Sequence, residues 1–296
     1  MQMLKTVSLM GLGLLLAGIL RAEPLFPSEH SWVPEEPYAW TFYTYDGEAS
    51  LKDIEVPGRM ARVIQQEGEA AAFVPVLSTP DVSMGLGVYY VMDDFDFTSF
   101  SAGDHYLHML AVPIDVIYQG LIPWSFWAEV SPGLFTDFNG MTWDDYRTMG
   151  HVLAMYDLSS SLRLAGGVGY DREFGDDKVF PMGGVRWQPH RSWDFNLILP
   201  MPRVTYAPIS TWTLFAEAMP AGNKWNIREQ GDNYDFKLES YRLAVGTEYA
   251  LTRWLWAQAA VGADVNRNYK IQNDREDILD SDAADTWFVR IGLLAR

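Results

Sequence analysis

The chain has 296 residues, no cysteine, 48% hydrophobic and 14% aromatic residues, and a formal charge of -17. That composition excludes a disordered or collagenous chain, a disulfide scaffold and a thiolate metal site. With 22 Lys+Arg against 39 Asp+Glu, general affinity for nucleic-acid phosphate is excluded as well.

Residues 1–22 combine a short polar start at Lys5, an apolar run from Val7 to Leu20, and Leu20-Arg21-Ala22 ahead of Glu23-Pro24. This pattern reads as a secretory signal peptide cleaved near Ala22. The run is shorter than the roughly 18 to 20 residues of a spanning helix. No cysteine stands there to carry a lipid anchor. Residues 23–37, with Pro24, Pro27 and Pro34, read as a mobile periplasmic leader, and 38–296 as one domain. No later apolar run reaches spanning length, so only a closed β-barrel could carry that domain across a bilayer.

Ala39 to Asp46 is expected to be the first strand. Arg59 to Leu77, with Gln65-Gln66-Glu67-Gly68-Glu69 at its centre, is read as a bent strand with a bulge; an inserted loop or short helix is the alternative. From Asp81 onward the apolar pattern has the strand period of two. One face of the stretch before Leu251 carries Tyr241, Leu243, Val245, Thr247 and Tyr249, the other Arg242, Ala244, Gly246 and Glu248. Leu162 to Tyr170, Leu255 to Val265 and Trp287 to Arg296 alternate in the same way, and no long helix is expected after residue 22.

Short connections rich in Pro, Ser and Thr (Leu77 to Asp81, Gln119 to Pro123, Asp157 to Ser161, Gln188 to Ser192, Ala207 to Thr211, Ala250 to Arg253) take turns with longer acidic ones (Asp93 to Asp104, Asp137 to Asp145, Asp171 to Lys178, Glu229 to Asp235, Gln272 to Asp285). Short turns on one rim and long loops on the other describe an all-β, up-and-down transmembrane barrel. About 20 residues per strand and connection gives about fourteen strands, or twelve if the pieces within Trp193 to Tyr206 do not both span.

Aromatic residues flank the short turns: Tyr118, Trp124, Tyr156, Trp187, Trp193, Trp212, Tyr249 and Trp254. Amphipathic rings at one depth form an interfacial girdle, whereas Trp256 is read as core. After residue 22 there are 15 Arg but only 5 Lys, which suits partly dehydrated, bidentate ion pairs better than a solvated sheet face. If the apolar face points outward, strand parity turns Arg147, Arg163, Arg186, Arg203, Arg242 and Arg290 inward. The same parity turns in Asp115, Glu129, Asp171, Asp194, Glu217, Glu248 and Asp264. This near-balanced set predicts cross-lumen ion pairs that partly fill the bore; a wide, water-filled bore with solvated charges is the alternative.

Ser131-Pro132-Gly133-Leu134 with Asp137-Phe138, Gly167-Val168-Gly169-Tyr170-Asp171 leading to Phe174-Gly175-Asp176, and Gly184-Val185-Arg186-Trp187 resemble a family of uncharacterised outer-membrane β-barrels of Gram-negative envelopes. Pro202-Arg203-Val204-Thr205-Tyr206, the most specific part, and Tyr241-Arg242 with Gly246-Thr247-Glu248-Tyr249 extend the likeness, which runs from about Ser83 to the end. The resemblance implies a barrel in the outer membrane, in contact with its lipid and lipopolysaccharide and inserted by the barrel-assembly machinery. It implies no catalytic residue. Such barrels usually finish on an aromatic residue. This chain ends Leu294-Ala295-Arg296, so either insertion is inefficient or the signal is displaced inward to Phe288 or Trp287.

None of His30, His105, His108, His151 and His190 has a serine at a recognisable spacing, and phosphate-loop and His-x-x-x-His patterns are missing. Neither an enzyme nor a cofactor is expected. Acid clusters at Asp93, Asp94 and Asp96, at Asp176-Asp177, and at Asp274, Glu276, Asp277, Asp280, Asp282 and Asp285 could hold divalent cations that bridge to surface lipids. A solvated, self-repelling loop is the other account of them. The expected function is a narrow channel or small-solute transporter gated by the Arg/acid network. The alternative is a closed structural or surface-interaction barrel with cation-binding acidic loops.

Overall fold

The computed structural model describes residues 31–56, 59–98, 104–229, 231–273 and 277–296. The expected signal peptide lies outside the described residues, as do Asp274 and Glu276. Seventeen strand segments form one sheet. They are β1 (Ala39–Val56), β2 (Arg59–Ser78), β3 (Val82–Thr98), β4 (His105–Ala111), β5 (Ile114–Leu121), β6 (Trp124–Thr136), β7 (Tyr146–Ser159), β8 (Leu162–Asp171) and β9 (Lys178–His190). Then come β10 (Trp193–Leu199), β11 (Arg203–Ile209), β12 (Trp212–Pro220), β13 (Asn223–Glu229), β14 (Asp232–Ala250), β15 (Leu255–Gln272), β16 (Asp277–Asp282) and β17 (Thr286–Ala295). Among the described residues the one helical element is the 3-10 turn Trp143–Asp145.

These segments make fourteen staves. β4 and β5 both pair with β3 and β6 and form one stave broken at Val112-Pro113. β16 and β17 both pair with β15 and form another, broken at Ala283 to Asp285. β12 pairs with β14, which leaves β13 outside the ring, and β17 pairs with β1 to close it. Both β10 and β11 belong to the wall, which settles fourteen over twelve. The stretch from Arg59 to Ser78 is a single strand, so the loop and helix alternatives fall.

In the lower part, toward the short turns, the wall is apolar outside and polar inside. Val152, Val168, Val245 and Ile291 point outward at 54, 55, 58 and 60% exposure, while Glu248, Gln258, Asp264 and Arg290 are buried on the other face. Toward the long loops the order reverses. Phe95, Leu107, Phe135, Trp225, Phe236, Tyr269 and Ile271 pack into one buried apolar core, and the outer face carries ion pairs such as Lys270 with Asp280.

Three adjacent staves make that reversal by a one-residue slip at the same height. On β1 an extra residue falls between Asp46 and Ala49. On β15 Asn266 takes a left-handed backbone (φ 55), and the third break is that between β16 and β17. The slip line is stitched by Thr286 Oγ1 donating to Gly47 O and by Ala284 N donating to Ser50 O. Below it, odd-numbered Val261, Val265 and Ile291 face out; above it, odd-numbered Leu51, Tyr269, Ile271 and Leu279 face in. An inserted residue turns every following side chain to the other face.

Above the slip line a narrower ring takes over. β13 folds back along β14 and makes a single parallel bridge to β6, Asn226 to Thr136, which bypasses β7 to β12. On the other flank Leu51 bridges to Ala283. Three of the five segments expected as long acidic loops are partly strand, since β3 runs through Asp93 to Thr98 and β13 to β16 form hairpins whose inward residues fill the cap, while Asp137 to Asp145 and Asp171 to Lys178 remain connections.

Of the expected mobile leader, residues 23–30 lie outside the described residues, and residues 31–37 lie with Tyr38 across the opposite mouth. Ser31 Oγ and Trp32 N both donate to Arg191 O in the β9–β10 turn (3.3 and 2.7 Å), and the Arg191 guanidinium sits 3.9 Å over the Trp32 ring. Tyr38 N then donates to Ala295 O on β17, five staves round the ring from β10.

Candidate functional site: the barrel interior

The interior below the cap has two unlike walls. On the wall formed by β9 to β17, cations and carboxylates interlock. Arg186 meets Asp194 at 2.6 Å; Arg203 meets Glu217 at 2.8 Å and Glu248 at 2.7 Å. Arg290 also binds Glu217 and accepts support from Gln258, whose Oε1 its Nε reaches at 3.2 Å. Arg296 joins Glu248 at 2.9 Å. Higher up, Arg242 pairs with Asp46 and Glu67 at 2.9 Å each and approaches Asp264 at 3.7 Å. Arg267 approaches the same Asp264 at 3.7 Å. β14 and β2 are separated in the ring by three staves, so an Arg242–Glu67 contact must pass through the bore.

On the wall formed by β2, β5, β6 and β8 a group of acids stands outside those ion pairs. Asp115 on β5 sits directly opposite Glu129 on β6, and Glu129 directly opposite His151 on β7. Asp115 accepts from Trp127 Nε1 at 2.8 Å, and Glu69 accepts from Trp40 Nε1 at 2.5 Å. Asp171 accepts from the backbone N–H groups of Arg172 and Glu173. Glu173 lies within electrostatic reach of Asp171, Glu69, Glu129 and Glu67. Of the five carboxylates Glu69, Asp115, Glu129, Asp171 and Glu173, none has a Lys or Arg within ion-pair distance among the described residues. They stay only half-buried on the inner side of the ring, as do inward-facing Tyr89, Trp127 and Met182. Partial exposure on that side means an unfilled chamber.

Of the thirteen residues expected inside, the structure thus joins Arg186, Arg203, Arg242, Arg290, Asp194, Glu217, Glu248 and Asp264 in contacts with one another or with neighbours. It leaves Asp115, Glu129 and Asp171 apart. Arg163 pairs with Asp157 beside a short turn, and Arg147 lies 3.9 Å from Asp177 at the cap end. Residues the sequence reading passed over include Asp46, Glu67, Glu69, Glu173, Arg267 and Arg296. Glu67 and Glu69 had a signal: two acids at i and i+2 of a strand share a face.

The eight aromatics expected as a girdle all flank short turns. Trp124 opposes Tyr156 with ring centroids 4.9 Å apart, Trp212 opposes Tyr249, Trp193 stacks near Tyr206 at 4.6 Å, and Tyr118, Trp187 and Trp254 are exposed beside them. Trp256, read as core, is 6% exposed.

Two of the three acid clusters at the cap meet the chain's own cations. Asp176 meets Lys237 at 2.8 Å and Lys224 at 3.2 Å. Burial opposes its ionisation, but those two ammonium groups prevail and hold the carboxyl down to about 2. Asp177 is lowered too, burial again being outweighed, chiefly by Arg172 at 2.8 Å. Asp277 and Asp280 share Lys270, and Asp282 accepts from Asn268. Asp93 is not a loop residue at all: it faces inward, is buried, and accepts from Gln65 Nε2. Among the described residues no group of three potential ligands could hold a metal ion.

No curated protein matches this chain. Among solved structures it is similar to an outer membrane channel from Pseudomonas putida F1 (11% identity, 92% of this chain and 100% of that one, TM-score 0.42). It is also similar to a Pseudomonas aeruginosa FadL homologue (11% identity, 97% of each chain, TM-score 0.41) and to the P. putida toluene transporter TodX (10% identity, 92% of each chain, TM-score 0.41). Residues 110–282, more than half of the sequence, match the family described as Domain of unknown function (DUF6268), and the chain belongs to that family.

Proposed function

We propose that this protein is an outer-membrane barrel of a Gram-negative envelope that takes small cationic solutes into its interior. The observation that carries the reading is the chamber wall of Glu69, Asp115, Glu129, Asp171 and Glu173, none of which has a Lys or Arg within ion-pair distance among the described residues. Two carboxyl groups placed directly opposite on neighbouring strands, as Asp115 and Glu129 are, destabilise a sheet when both are ionised. A purely structural barrel would gain by replacing or pairing them, as the other wall does with its arginines. The apolar outer belt and the aromatic rings beside the short turns support residence in lipid, with the girdle at the periplasmic interface and the charged cap outside.

Reconstitution into planar bilayers tests the reading. Stepwise conductance favouring cations is expected, and Asp115→Asn with Glu129→Gln should lower the cation preference severalfold. No conductance at any voltage, or a preference untouched by the double change, would reject it. The solid apolar core of the cap favours a second reading, a closed structural or surface-interaction barrel without transport. Calcium titration of the full chain separates that reading from the first, since only the second expects loop-dependent binding in the absence of conductance.

A further inference from the structure

The wall of the ring lacks rungs at one place. The last rung between β9 and β10 is Gly183 with Leu199, yet β9 continues to Lys178 paired only with β8. The last rung between β11 and β12 is Arg203 with Glu217, followed by Ala218 N donating to Pro202 O, yet β12 continues to Pro220 paired only with β14. Above the turn Leu199-Pro200-Met201-Pro202 two staves are therefore missing. The gap runs along about five residues of β9, roughly 16 Å at the usual strand rise. Its upper edge is the segment after β8: Phe174 has its ring 4.8 Å from Phe180 and 6.0 Å from Tyr241, and Gly222 N donates to Glu173 O.

Backbone groups at membrane depth must be paired, covered, or wetted from a cavity. Pro181, Pro200 and Pro202 reduce the donors around this frame and prevent a further strand from completing the wall. The outer rim is apolar, with Val179 74%, Leu199 58% and Met201 48% exposed. Directly behind it Met182 and Met219 turn inward, both half-buried, and soft thioethers adapt to varied apolar shapes. Deeper in stand Glu173 and Glu69.

We propose that this gap is a lateral port at which an amphiphilic organic cation of the alkylammonium class binds, its chain against Val179, Leu199, Met182 and Met219 and its ammonium group toward Glu173 and Glu69. The proposal rests on the transport reading for what lies beyond the port, and on the missing rungs for the port itself. An anionic amphiphile would meet the same carboxylates and be refused.

The chain has no cysteine, so Met182→Cys in phosphatidylcholine vesicles offers a single thiol, with Met219→Cys as a second site should the first variant lose its heat-modifiable mobility. A membrane-partitioning alkyl maleimide should modify it, and decyltrimethylammonium should slow that reaction at least fivefold while decyl sulfate and decanol do not. Val179→Trp should slow it by a similar factor, and Val261→Trp, on a fully paired part of the wall, should leave it unchanged. Equal protection by decyl sulfate or decanol, or indifference to Val179→Trp, overturns the proposal. Conductance of small water-soluble cations is read in parallel: if it persists while the protection fails, the port is wrong and the transport reading stands; if protection persists without conductance, the port holds and the transport reading falls.

Discussion

Arg242 and Glu67 meet across the bore: Nη1 of the arginine lies 2.9 Å from both carboxylate oxygens, although three staves separate β14 from β2 along the wall. Nη2 of the same guanidinium donates to Asp46 Oδ2, also at 2.9 Å. The arginine is the shared counterion of the buried Asp46 and of Glu67, whose side chain keeps 13% exposure. Arg242→Met should therefore cost about 3–5 kcal/mol, the penalty for stranding buried charge rather than the worth of one pair. Denaturant unfolding of the reconstituted barrel measures it; a loss under about 1 kcal/mol would mean that the network is hydrated.

The cap should come apart without the ring. Phe95 touches Phe97, Trp225, Phe236 and Tyr269 within one ring cluster, so Phe95→Ala should cost about 3–5 kcal/mol. Protease cutting within β13 should rise, while heat-modifiable mobility, which reports the closed ring, should persist. Loss of both together would show that cap and ring fold as one cooperative unit.

Acid should loosen the seam between the cap and the segment that follows β8. Asp176 titrates near 2 in the folded chain against an ordinary value of 3.8, so its contribution is complete above about pH 4 and disappears as the pH falls through about 2. Asp177 is lowered in the same direction. Lys224, whose burial is outweighed by Asp235 and Asp176, is raised, so its contribution is present below its ordinary value and is lost only as strong alkali carries the pH through the raised one. Trp225 fluorescence should stay flat from pH 5 to 9 and shift only below about 4; a transition near neutrality would contradict the assignment.

The segment across the mouth on the side of the short turns should act as a cover. Its hold on the β9–β10 turn is the Arg191–Trp32 stack and two hydrogen bonds to Arg191 O, and a partly exposed cation–π contact contributes about 0.5–1 kcal/mol. Arg191→Ala should raise the rate at which a water-soluble maleimide reaches Asn196→Cys, inside the bore, about two- to fivefold. An unchanged rate would mean that residues 31–38 leave the mouth open.

Much of the lower barrel is legible in the sequence because its alternation is unbroken from turn to turn. Counting by parity places Arg203, Glu217, Glu248 and Arg290 on the inner face without any structure. The same counting fails at the cap for a physical reason. An inserted residue at Gly47 or Asn266 leaves no compositional mark, yet it exchanges the faces of everything beyond it. Asp93 and the stretch from Glu229 to Asp235 read as acidic loop because charge dominates locally, whereas Trp225, Ile227 and Phe236 nearby are the residues that decide burial. The uneven charge of the chamber was likewise hidden, since a balanced total of inward charges says nothing about which wall holds which sign.

Tyr269 and Val261 belong to one odd-numbered series on β15 that is apolar but for Arg267, yet one is dry inside protein and the other bathed in lipid. The switch between those two worlds is a single left-handed residue, Asn266. Deleting it would leave composition and hydropathy essentially intact while turning Tyr269 and Ile271 out to water and Lys270 into the cap's interior. For this architecture, then, the grammar of spacing carries information that an inventory of residues cannot, and a lost codon at the slip line would be more damaging than most substitutions in the wall.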